Sequence, residues 1–439
     1  MPANPGSTKS NILPVDSCLW NETAVAPPPT GRLEGEIVCD VAVVGAGWTG
    51  LRAALTLAEA GTNTIVLEKE TIGYGASGRS GGQVNLGFKL DPDELEASLG
   101  VEIAGRMLRA VSQVGDEVFD LIHQYRLVCD PVQNGWIKAS HCEMAMRRQE
   151  KQHDQWRRRG LELEQLDGKE IEKRSGAHCY RGGLYYAKGG SIQPLAYTRE
   201  LARVAAENGV KLFEKAAVQS ITPGPDGIQL KCDGGSVRAS AVIICTNGYT
   251  DGMWPGLTRS IVPIRSVQAA TEPLPEHLRE KILPAGNTLS DMRRIIYYFR
   301  LDRDFRLCFG GLGPLRDNFE LADYNELKRG AETVFPGLKD VRWEHHWGGR
   351  LGMTQDSLPH LHELAPGVFA GLGFNGRGVG IGTMMGRVLA ELALGRNRSL
   401  LDFPVTSMRP FPFYEFRRLG FHIATNWMAF NDRIDLWRG

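Results

Sequence analysis

The sequence has no excess charge of either sign and no uninterrupted apolar run of membrane-spanning length. Its 439 residues include 51 basic and 51 acidic side chains, so the formal net charge is zero. A balanced chain has no bulk electrostatic attraction for nucleic acid or an acidic membrane, and we expect no nucleic-acid partner. The best candidate for a membrane span, 379–394, is interrupted by Arg387 and Glu391. We therefore also expect no integral membrane segment.

The sequence also lacks paired cysteines, and we expect no secretory leader, because Met1-Pro-Ala-Asn-Pro-Gly has neither a basic nor an apolar stretch. Its eight cysteines are scattered, with no CxxC pair and no metal-ligand spacing. This pattern is typical of reduced thiols in a cytoplasmic protein and disfavours a disulfide reductase. The histidine pairs 345–346 and 360/362 have no third ligand at a matching spacing, so we expect no metal site.

The most informative pattern present is Asp40-Val-Ala-Val-Val-Gly-Ala-Gly-Trp-Thr-Gly50, an apolar strand that ends in a glycine-rich turn before a helix. A second strand, 64–67, ends at an acidic residue, at the position where a carboxylate accepts the ribose hydroxyls of a dinucleotide. The alternative is an ordinary strand–helix–strand unit without a ligand. The residues predicted to bind the cofactor here are Gly45, Ala46, Gly47, Trp48, Thr49, Gly50, Glu68 and Lys69.

Two further glycine-rich segments follow. Segment 73–83 contains five glycines among eleven residues, which indicates that its backbone lies close to a flat or charged group. Its predicted cofactor-binding residues are Gly75, Ala76, Ser77, Arg79, Ser80, Gly81, Gly82 and Gln83.

The other segment, 371–376, also matches GxGxxG and precedes a helix over 379–394. No strand ending in an acid follows it, so we reject a second dinucleotide site. A helix N-terminus carries roughly half a positive charge, which suits the negative edge of a reduced flavin ring. This predicts flavin contacts from Gly376, Arg377, Gly378 and Val379. The alternative is that these glycines only permit a tight turn.

These motifs resemble those of the D-amino-acid-oxidase-like flavoproteins, the group that contains glycine oxidase and sarcosine oxidase. The resemblance covers residues 40 to about 395 and also rests on Thr246-Asn-Gly248 and Gly373-Phe-Asn-Gly-Arg-Gly378. Within this group the chain looks most like bacterial gamma-glutamylputrescine oxidases, and L-pipecolate oxidases are nearly as similar. The resemblance implies noncovalent FAD, with further contacts from Val218, Thr246, Asn247 and Gly248.

The resemblance also implies an α/β fold. It comprises a Rossmann-type FAD-binding domain of the glutathione-reductase-like, D-amino-acid-oxidase type and a second, mostly antiparallel α+β substrate domain. We assign 37–90, 192–257 and 344–396 to the FAD-binding domain, and 91–191 and 258–343 to the substrate domain. Residues 1–36 are expected to form an extended lead-in over the surface, and 397–439 a C-terminal extension.

The candidate catalytic residues are Gln268, Tyr298 and Arg350. Gln268 lies on a strand that crosses the substrate side of the flavin in this family, although an inward-facing structural role fits it equally well. Of Tyr297 and Tyr298, which alternate faces, only one can line the pocket. Glycine oxidase-like enzymes bind the substrate carboxylate with an arginine that Arg350 precedes by one position, so we expect Arg350 to be structural, paired with a nearby acid.

The predicted function is oxidation of a C–N bond in a small amine, of the gamma-glutamylputrescine or polyamine type. Hydride transfer to flavin N5 would give an imine, which water hydrolyses, and O2 or a quinone or other electron carrier would take up the electrons. One alternative is an oxidase or dehydrogenase of a cyclic or N-substituted amino acid such as L-pipecolate or sarcosine. Another is a flavin-binding electron-transfer or redox-sensing module without an amine substrate.

Overall fold

The computed structural model describes residues 18–316 and 320–437, which form helices around two large β-sheets. None of the helices in these ranges is long and apolar enough to cross a bilayer. The helices are α1 (Leu19–Thr23), α2 (Trp48–Glu59), α3 (Pro92–Leu99), α4 (Val101–Ser112), α5 (Val114–Tyr125), α6 (Glu143–Arg158), α7 (Gly168–Ser175), α8 (Pro194–Glu207), α9 (Glu276–Arg279), α10 (Asn325–Val334), α11 (Gly378–Ala393) and α12 (Arg417–Trp437).

Most strands belong to one of the two large sheets. They are β1 (Gly35–Val44), β2 (Thr64–Leu67), β3 (Gln83–Val84), β4 (Trp136–Ser140), β5 (Glu164–Asp167), β6 (Gly182–Tyr186), β7 (Gly190–Ser191), β8 (Lys211–Phe213), β9 (Val218–Gly224), β10 (Gly227–Cys232), β11 (Gly235–Ile244), β12 (Val262–Pro273), β13 (Thr288–Asp291), β14 (Tyr298–Leu301), β15 (Arg306–Leu312), β16 (Trp343–Met353), β17 (His360–Ala365), β18 (Val368–Leu372) and β19 (Val405–Thr406). This mixture of elements confirms the α/β fold expected from the sequence.

The first sheet has a parallel centre, with the order β19-β17-β18-β11-β1-β2-β8. Strand β1 pairs in parallel with both β11 and β2, and β18 extends the parallel set beyond β11. Helices α2, α8 and α11 pack together beside it. A Cβ on Gly386 of α11 would lie 2.4 Å from the carbonyl oxygen of Thr49, which shows how closely α11 approaches α2.

The parallel strands bring the predicted cofactor-binding segments to one edge of this sheet. Strands β1, β2, β11 and β18 end at Val44, Leu67, Ile244 and Leu372. The glycine turn, the predicted acid, the 246–248 segment and the 373–378 loop follow these strands directly. Because ligands of such sheets bind at the carboxyl ends of the strands, this edge is where a dinucleotide site belongs.

The second sheet has the order β16-β12-β15-β14-β13-β4-β6-β5, and its neighbouring strands are antiparallel except for β13 and β4. It includes β16, which pairs with β12 from Val262↔Met353 to Thr271↔Trp343. The domain boundary that we expected at residue 344 therefore falls inside a strand of the second sheet. Strand β16 is continuous, belongs to the second sheet and leads into β17 of the first sheet. No local feature of the sequence therefore marks the domain boundary.

The expected lead-in is only partly a surface segment. Residues 1–17 lie outside the described residues, but Cys18, Leu19 and Trp20 are buried, with exposures of 0–2%. The Trp20 ring packs edge-on against Trp347, with ring centroids 5.5 Å apart. The prediction of an extended surface path for all of 1–36 is therefore wrong around α1, because its apolar side chains fill a gap beside the second sheet.

Two helical regions also differ from the sequence-based expectation. The apolar periodicity over 103–125 predicts one helix, but the structure has α4 and α5 with Gln113 outside helical geometry between them. The C-terminal extension 397–439, for which the sequence predicts no particular element, contains the 21-residue helix α12.

Candidate active site

The turn between β1 and α2 has room for backbone but little room for side chains. A Cβ on Gly50 would lie 1.9 Å from the carbonyl oxygen of Gly45, and a Cβ on Gly47 would lie 2.7 Å from Oγ of Ser77. Gly45 has a φ of +104°, which side chains rarely adopt. The backbone N–H of Trp48 donates to Oγ of Ser77 at 3.1 Å, which joins the start of α2 to segment 73–83. This cradle of glycines at a helix N-terminus fits a pyrophosphate.

Glu68 lies beside this cradle, directly after β2. Its two carboxylate oxygens accept hydrogen bonds from the backbone N–H groups of Ala46 at 2.8 Å and Glu70 at 2.9 Å. Burial raises the pKa of Glu68, while the two N–H donors favour its ionised form. Each oxygen can accept more than one hydrogen bond, so the fixed carboxylate suits the ribose hydroxyls of FAD.

Segment 73–83, which we call the flavin loop, is held by side-chain donors from distant parts of the chain. The carbonyl oxygen of Arg79 accepts from Trp347 Nε1 at 2.9 Å and from Gln268 Nε2 at 2.7 Å. Trp20 Nε1 donates to the carbonyl of Ser80 at 2.9 Å, and Arg300 Nε donates to that of Gly81 at 2.6 Å. These bonds fix a glycine-rich segment that has only a short strand of its own.

The contact with Arg79 gives Gln268 a positioning role in this structure. Its amide nitrogen is engaged by the flavin loop, and its side chain is buried. Gln268 also lines the cavity described below, so a direct contact between its amide oxygen and substrate stays a prediction.

Tyr298 faces the cavity, whereas Tyr297 packs into the apolar core of the second sheet. The Tyr298 ring lies against two glycines: a Cβ would be 3.0 Å from the ring at Gly81 and 2.1 Å from it at Gly310. Its hydroxyl is 2.6 Å from Oγ of Ser266. Burial raises the pKa of Tyr298, so the hydroxyl remains protonated at neutral pH.

Arg350 lies beside Arg265 on the neighbouring strands β16 and β12. The Arg350 guanidinium is 5.5 Å from the centre of the Tyr249 ring, and its backbone N–H donates to the Tyr249 hydroxyl at 3.2 Å. Burial and the adjacent charge of Arg350 lower the pKa of Arg265 to about 10. The cation–π contact agrees with the structural role expected for Arg350, but the sequence did not indicate an aromatic partner. Binding of a carboxylate by this arginine stays a prediction.

The start of α11 is fixed by two asparagines. Oδ1 of Asn247, a residue with a φ of +40°, accepts from the backbone N–H of Gly373 at 2.9 Å. Oδ1 of Asn375 accepts from the backbone N–H of Thr354 at 3.1 Å. Arg377 precedes the helix, and its guanidinium donates to the carbonyl of Leu86. Burial lowers the pKa of Arg377 to about 10, so its charge persists at neutral pH.

A single cavity of about 1060 Å³ unites these parts. It extends from the dinucleotide-binding edge to the second sheet and α12. Of the predicted residues, Gly50 and Gly248 do not line it, because they act through close packing against Gly45 and β16. The predicted residues that line it are Gly45, Ala46, Gly47, Trp48, Thr49, Glu68, Lys69, Gly75, Ala76, Ser77, Arg79, Ser80, Gly81, Gly82, Gln83, Val218, Thr246, Asn247, Gln268, Tyr298, Arg350, Gly376, Arg377, Gly378 and Val379.

Comparison with known proteins identifies this architecture. A model of the family "DAO: FAD dependent oxidoreductase" matches residues 40–392. The chain belongs to this family. It is therefore an FAD-dependent oxidoreductase, and FAD is its cofactor; noncovalent attachment of FAD stays a prediction. The glycine cradle, Glu68 and the fixed flavin loop are the features of this structure that fit that cofactor.

Several relatives resemble the chain over most of its length. The gamma-glutamylputrescine oxidoreductase of Escherichia coli is 33% identical over 391 residues, which cover 88% of this chain and 90% of that protein. The probable oxidoreductase OrdL of Haemophilus influenzae is 32% identical, covering 86% and 87%. The crystal structure of glycine oxidase from Geobacillus kaustophilus superposes with a TM-score of 0.71 at 23% identity, covering 84% of this chain and 99% of that one.

Sequence reasoning missed several residues that line the cavity of this DAO-family enzyme. They come from segments without a recognisable motif, including the strand at Trp136 and the C-terminal helix. The missed residues are Asn85, Lys89, Trp136, Tyr249, Ser266, Arg294, Tyr324, His346, Phe421, Ala424, Thr425 and Met428. For the last four residues, the one sequence signal is the apolar spacing within 421–428. This spacing does not distinguish a pocket wall from a core face.

Among the described residues, His141, Cys142 and Asp435 form a buried group whose potential ligand atoms lie within 4.8 Å of one another. The Asp435 carboxylate already binds the guanidinium of Arg294. Burial, together with the charges of Arg293 and Arg294, lowers the pKa of His141 to about 4. Two adjacent guanidinium groups disfavour a cation there, so we assign Asp435 to the anchoring of α12.

Proposed function

We propose that this enzyme oxidises the C–N bond of a gamma-glutamylated polyamine, with gamma-glutamylputrescine as the first candidate. The product is an imine, which water hydrolyses. The observation that carries the proposal is the 33% identity to gamma-glutamylputrescine oxidoreductase over nearly the whole of both chains. Such an extended match includes both sheets and therefore the residues on the substrate side as well as those on the cofactor side.

The cofactor-side residues hold and orient the flavin. Bound FAD supplies the redox chemistry, since it accepts two electrons and the hydrogen that leaves the carbon next to the amine nitrogen. The glycine cradle and Glu68 bind its dinucleotide part. Trp20, Gln268, Arg300 and Trp347 fix the flavin loop, so that the backbone that would hold the flavin is in place before substrate binds.

The substrate-side residues orient the amine and exclude water. An amine must be uncharged to lose hydrogen from the adjacent carbon, and a cavity that desolvates it lowers its pKa. Tyr298 and Ser266 provide a protonated hydroxyl pair at 2.6 Å that can accept or donate a hydrogen bond there. We propose that this pair orients the amine nitrogen.

We further propose that O2 or a quinone or other electron carrier is the final electron acceptor, and that the enzyme acts in the cytoplasm. The cytoplasmic location is supported by the cysteines: all eight are free, and seven of them are buried. This usage fits a reducing compartment.

The test is anaerobic bleaching of the bound flavin by a panel of donors. We expect gamma-glutamylputrescine to bleach the flavin with a larger second-order rate constant than L-pipecolate, sarcosine or D-amino acids. Putrescine, which lacks the glutamyl group, is the matched control for recognition of that group. Faster bleaching by L-pipecolate or sarcosine would replace this proposal with oxidation of a cyclic or N-substituted amino acid.

That second candidate is supported by the Arg265–Arg350 pair. Both residues line the cavity on adjacent strands, and Arg350 lies one position before the arginine with which glycine oxidase-like enzymes bind the substrate carboxylate. Both candidates carry a carboxylate, but only in the second does it lie next to the oxidised C–N bond. The panel of donors that bleach the flavin therefore distinguishes them.

A further inference from the structure

The C-terminal helix α12 supplies one wall of the cavity. Phe421, Ala424, Thr425 and Met428 line it, and their spacing of i, i+3, i+4 and i+7 places them on one face of the helix. All four are half-buried, whereas Ile423 on the opposite face is 62% exposed. The match to the family model ends at residue 392, so this wall lies outside the part of the chain that the family model matches.

Two aspartates further along α12 hold this wall against the second sheet. Asp432 accepts hydrogen bonds at 3.0 Å from the backbone N–H groups of Arg294 and Ile295 and from the Arg294 guanidinium. Asp435 binds the same guanidinium, and both carboxylates are buried. Arg294 and Ile296, in the loop between β13 and β14, themselves line the cavity. The anchor therefore joins two neighbouring parts of one pocket.

The chemistry of the wall indicates what it contacts. The four side chains that α12 presents to the cavity carry no charge. They would pack favourably against methylene groups and would leave a charged group without a partner. Putrescine held at Tyr298 by one amine would bring its second, charged ammonium group toward such a wall, whereas gamma-glutamylputrescine has an uncharged amide and further methylene groups at that distance.

We infer that α12 is a specificity element that selects for extended amines by packing against the part of the substrate beyond the oxidised C–N bond. This inference rests on the proposed function for the identity of the amines. The placement of the helix as a cavity wall does not depend on it.

The kinetic test compares the same substitution on the two faces of α12. In Ala424→Trp, the indole occupies the space next to the wall. We expect kcat/KM for gamma-glutamylputrescine to fall at least tenfold, through KM, while kcat/KM for putrescine changes less than threefold. The matched control Ile423→Trp, on the exposed face, should leave both values within twofold. Equal losses for the long and the short amine in Ala424→Trp, or equal losses in both variants, would overturn the inference.

Releasing the anchor provides a second kinetic arm. In Asp432→Asn/Asp435→Asn, the carboxylates lose their ion pairs with Arg294, and the wall is no longer held. We expect the preference for gamma-glutamylputrescine over putrescine to fall at least fivefold, with FAD content and flavin absorbance unchanged. An unchanged preference would contradict the role of the anchor.

A labelling test decides the placement of α12 without any substrate. It compares Thr425→Cys with Ile423→Cys in a Cys179→Ser background, which removes the least buried native thiol. We expect a bulky maleimide to label the Thr425→Cys protein at least tenfold more slowly than the Ile423→Cys protein. The Asp432→Asn/Asp435→Asn changes should abolish most of this difference. Equal labelling rates would overturn the inference. If no amine bleaches the flavin but the labelling difference is found, the proposed function fails while α12 remains a cavity wall.

Discussion

At the scale of single residues, the glycine cradle makes the sharpest prediction. Gly47→Val places two methyl groups where a Cβ alone would already be 2.7 Å from Oγ of Ser77, and it closes the approach of a pyrophosphate. We expect the purified variant to contain less than a tenth of the FAD of the unaltered enzyme. Gly105→Val is the control, because that glycine lies in α4 with only the end of an arginine side chain nearby. Full FAD content in Gly47→Val would contradict the assignment of the cradle.

The hydroxyl of Tyr298 has a separate expected effect. Tyr298→Phe removes the group that is 2.6 Å from Oγ of Ser266 but keeps the ring between Gly81 and Gly310. We expect kcat/KM for the best amine to fall about tenfold, which corresponds to the loss of one hydrogen bond of about 1–1.5 kcal/mol. FAD content and melting temperature should remain within error. Unchanged kcat/KM would show that the Tyr298–Ser266 pair does not orient the amine.

The role of Arg350 can be separated from that of a carboxylate-binding residue. Because the Arg350 side chain lies over the Tyr249 ring, we expect Arg350→Ala to lower the melting temperature and to change KM by less than threefold. Loss of a direct charged hydrogen bond to substrate would instead cost about 2–3 kcal/mol and raise KM more than tenfold. That result, with an unaltered melting temperature, would show that Arg350 binds the substrate carboxylate and that the expectation of a structural role is wrong.

At the scale of elements, the N-terminus of α11 can be tested through the flavin potential. Gly378 is the first helical residue, a position where proline fits but removes one N–H group. If the helix start stabilises the charge that appears on reduction, Gly378→Pro lowers the potential by about 10–20 mV, equivalent to 0.5–1 kcal/mol for two electrons. Gly378→Ala keeps the N–H group and should have the potential of the unaltered enzyme. If Gly378→Pro and Gly378→Ala have the same flavin potential, Gly378 serves only to permit the turn.

The elements also show which parts of the site the sequence could predict. Glycines and short apolar strands that are close together in sequence mark four parts of the site: the turn after β1, the acid after β2, the flavin loop and the start of α11. Local patterns were therefore sufficient to predict these segments as parts of the site. The donors that fix the flavin loop, such as Trp20 and Arg300, are distant in sequence from the carbonyls they bind. The wall formed by α12 depends on where the helix packs. Neither could be inferred without the tertiary structure.

At the scale of the whole molecule, buried histidines make stability depend on pH. His362 on β17 is 2% exposed and lies 2.9 Å from the carbonyl of Thr406 on β19 through Nδ1. Burial, aided by the nearby His360, lowers the pKa of His362 to about 4, against the backbone hydrogen bond that raises it. His141 and His346 have pKa values lowered to about 4, again mainly by burial.

The sign of the effect follows from the direction of these shifts. Below pH 6.5 the unfolded chain binds protons at these histidines, while the folded chain does so only near pH 4. Stability is therefore complete above about pH 6.5 and is lost as the pH falls toward 4. A shift of this size corresponds to at most about 3 kcal/mol for one residue. We expect the melting temperature to decrease steeply between pH 6.5 and 4.5.

Substitution of His362 tests this linkage directly. Asparagine can keep a donor near the position of Nδ1 but has no proton to gain, so His362→Asn should lower the melting temperature at pH 7.5 and reduce its further decrease toward pH 4.5. His123→Asn is the control, because His123 is exposed on α5 and its replacement should leave the pH dependence unchanged. The comparison uses the FAD-loaded enzyme, with flavin release and far-ultraviolet circular dichroism recorded together. If His362→Asn and the unaltered enzyme lose the same number of degrees between pH 7.5 and 4.5, buried His362 does not contribute to acid sensitivity, and the carboxylates of the ion pairs account for it instead.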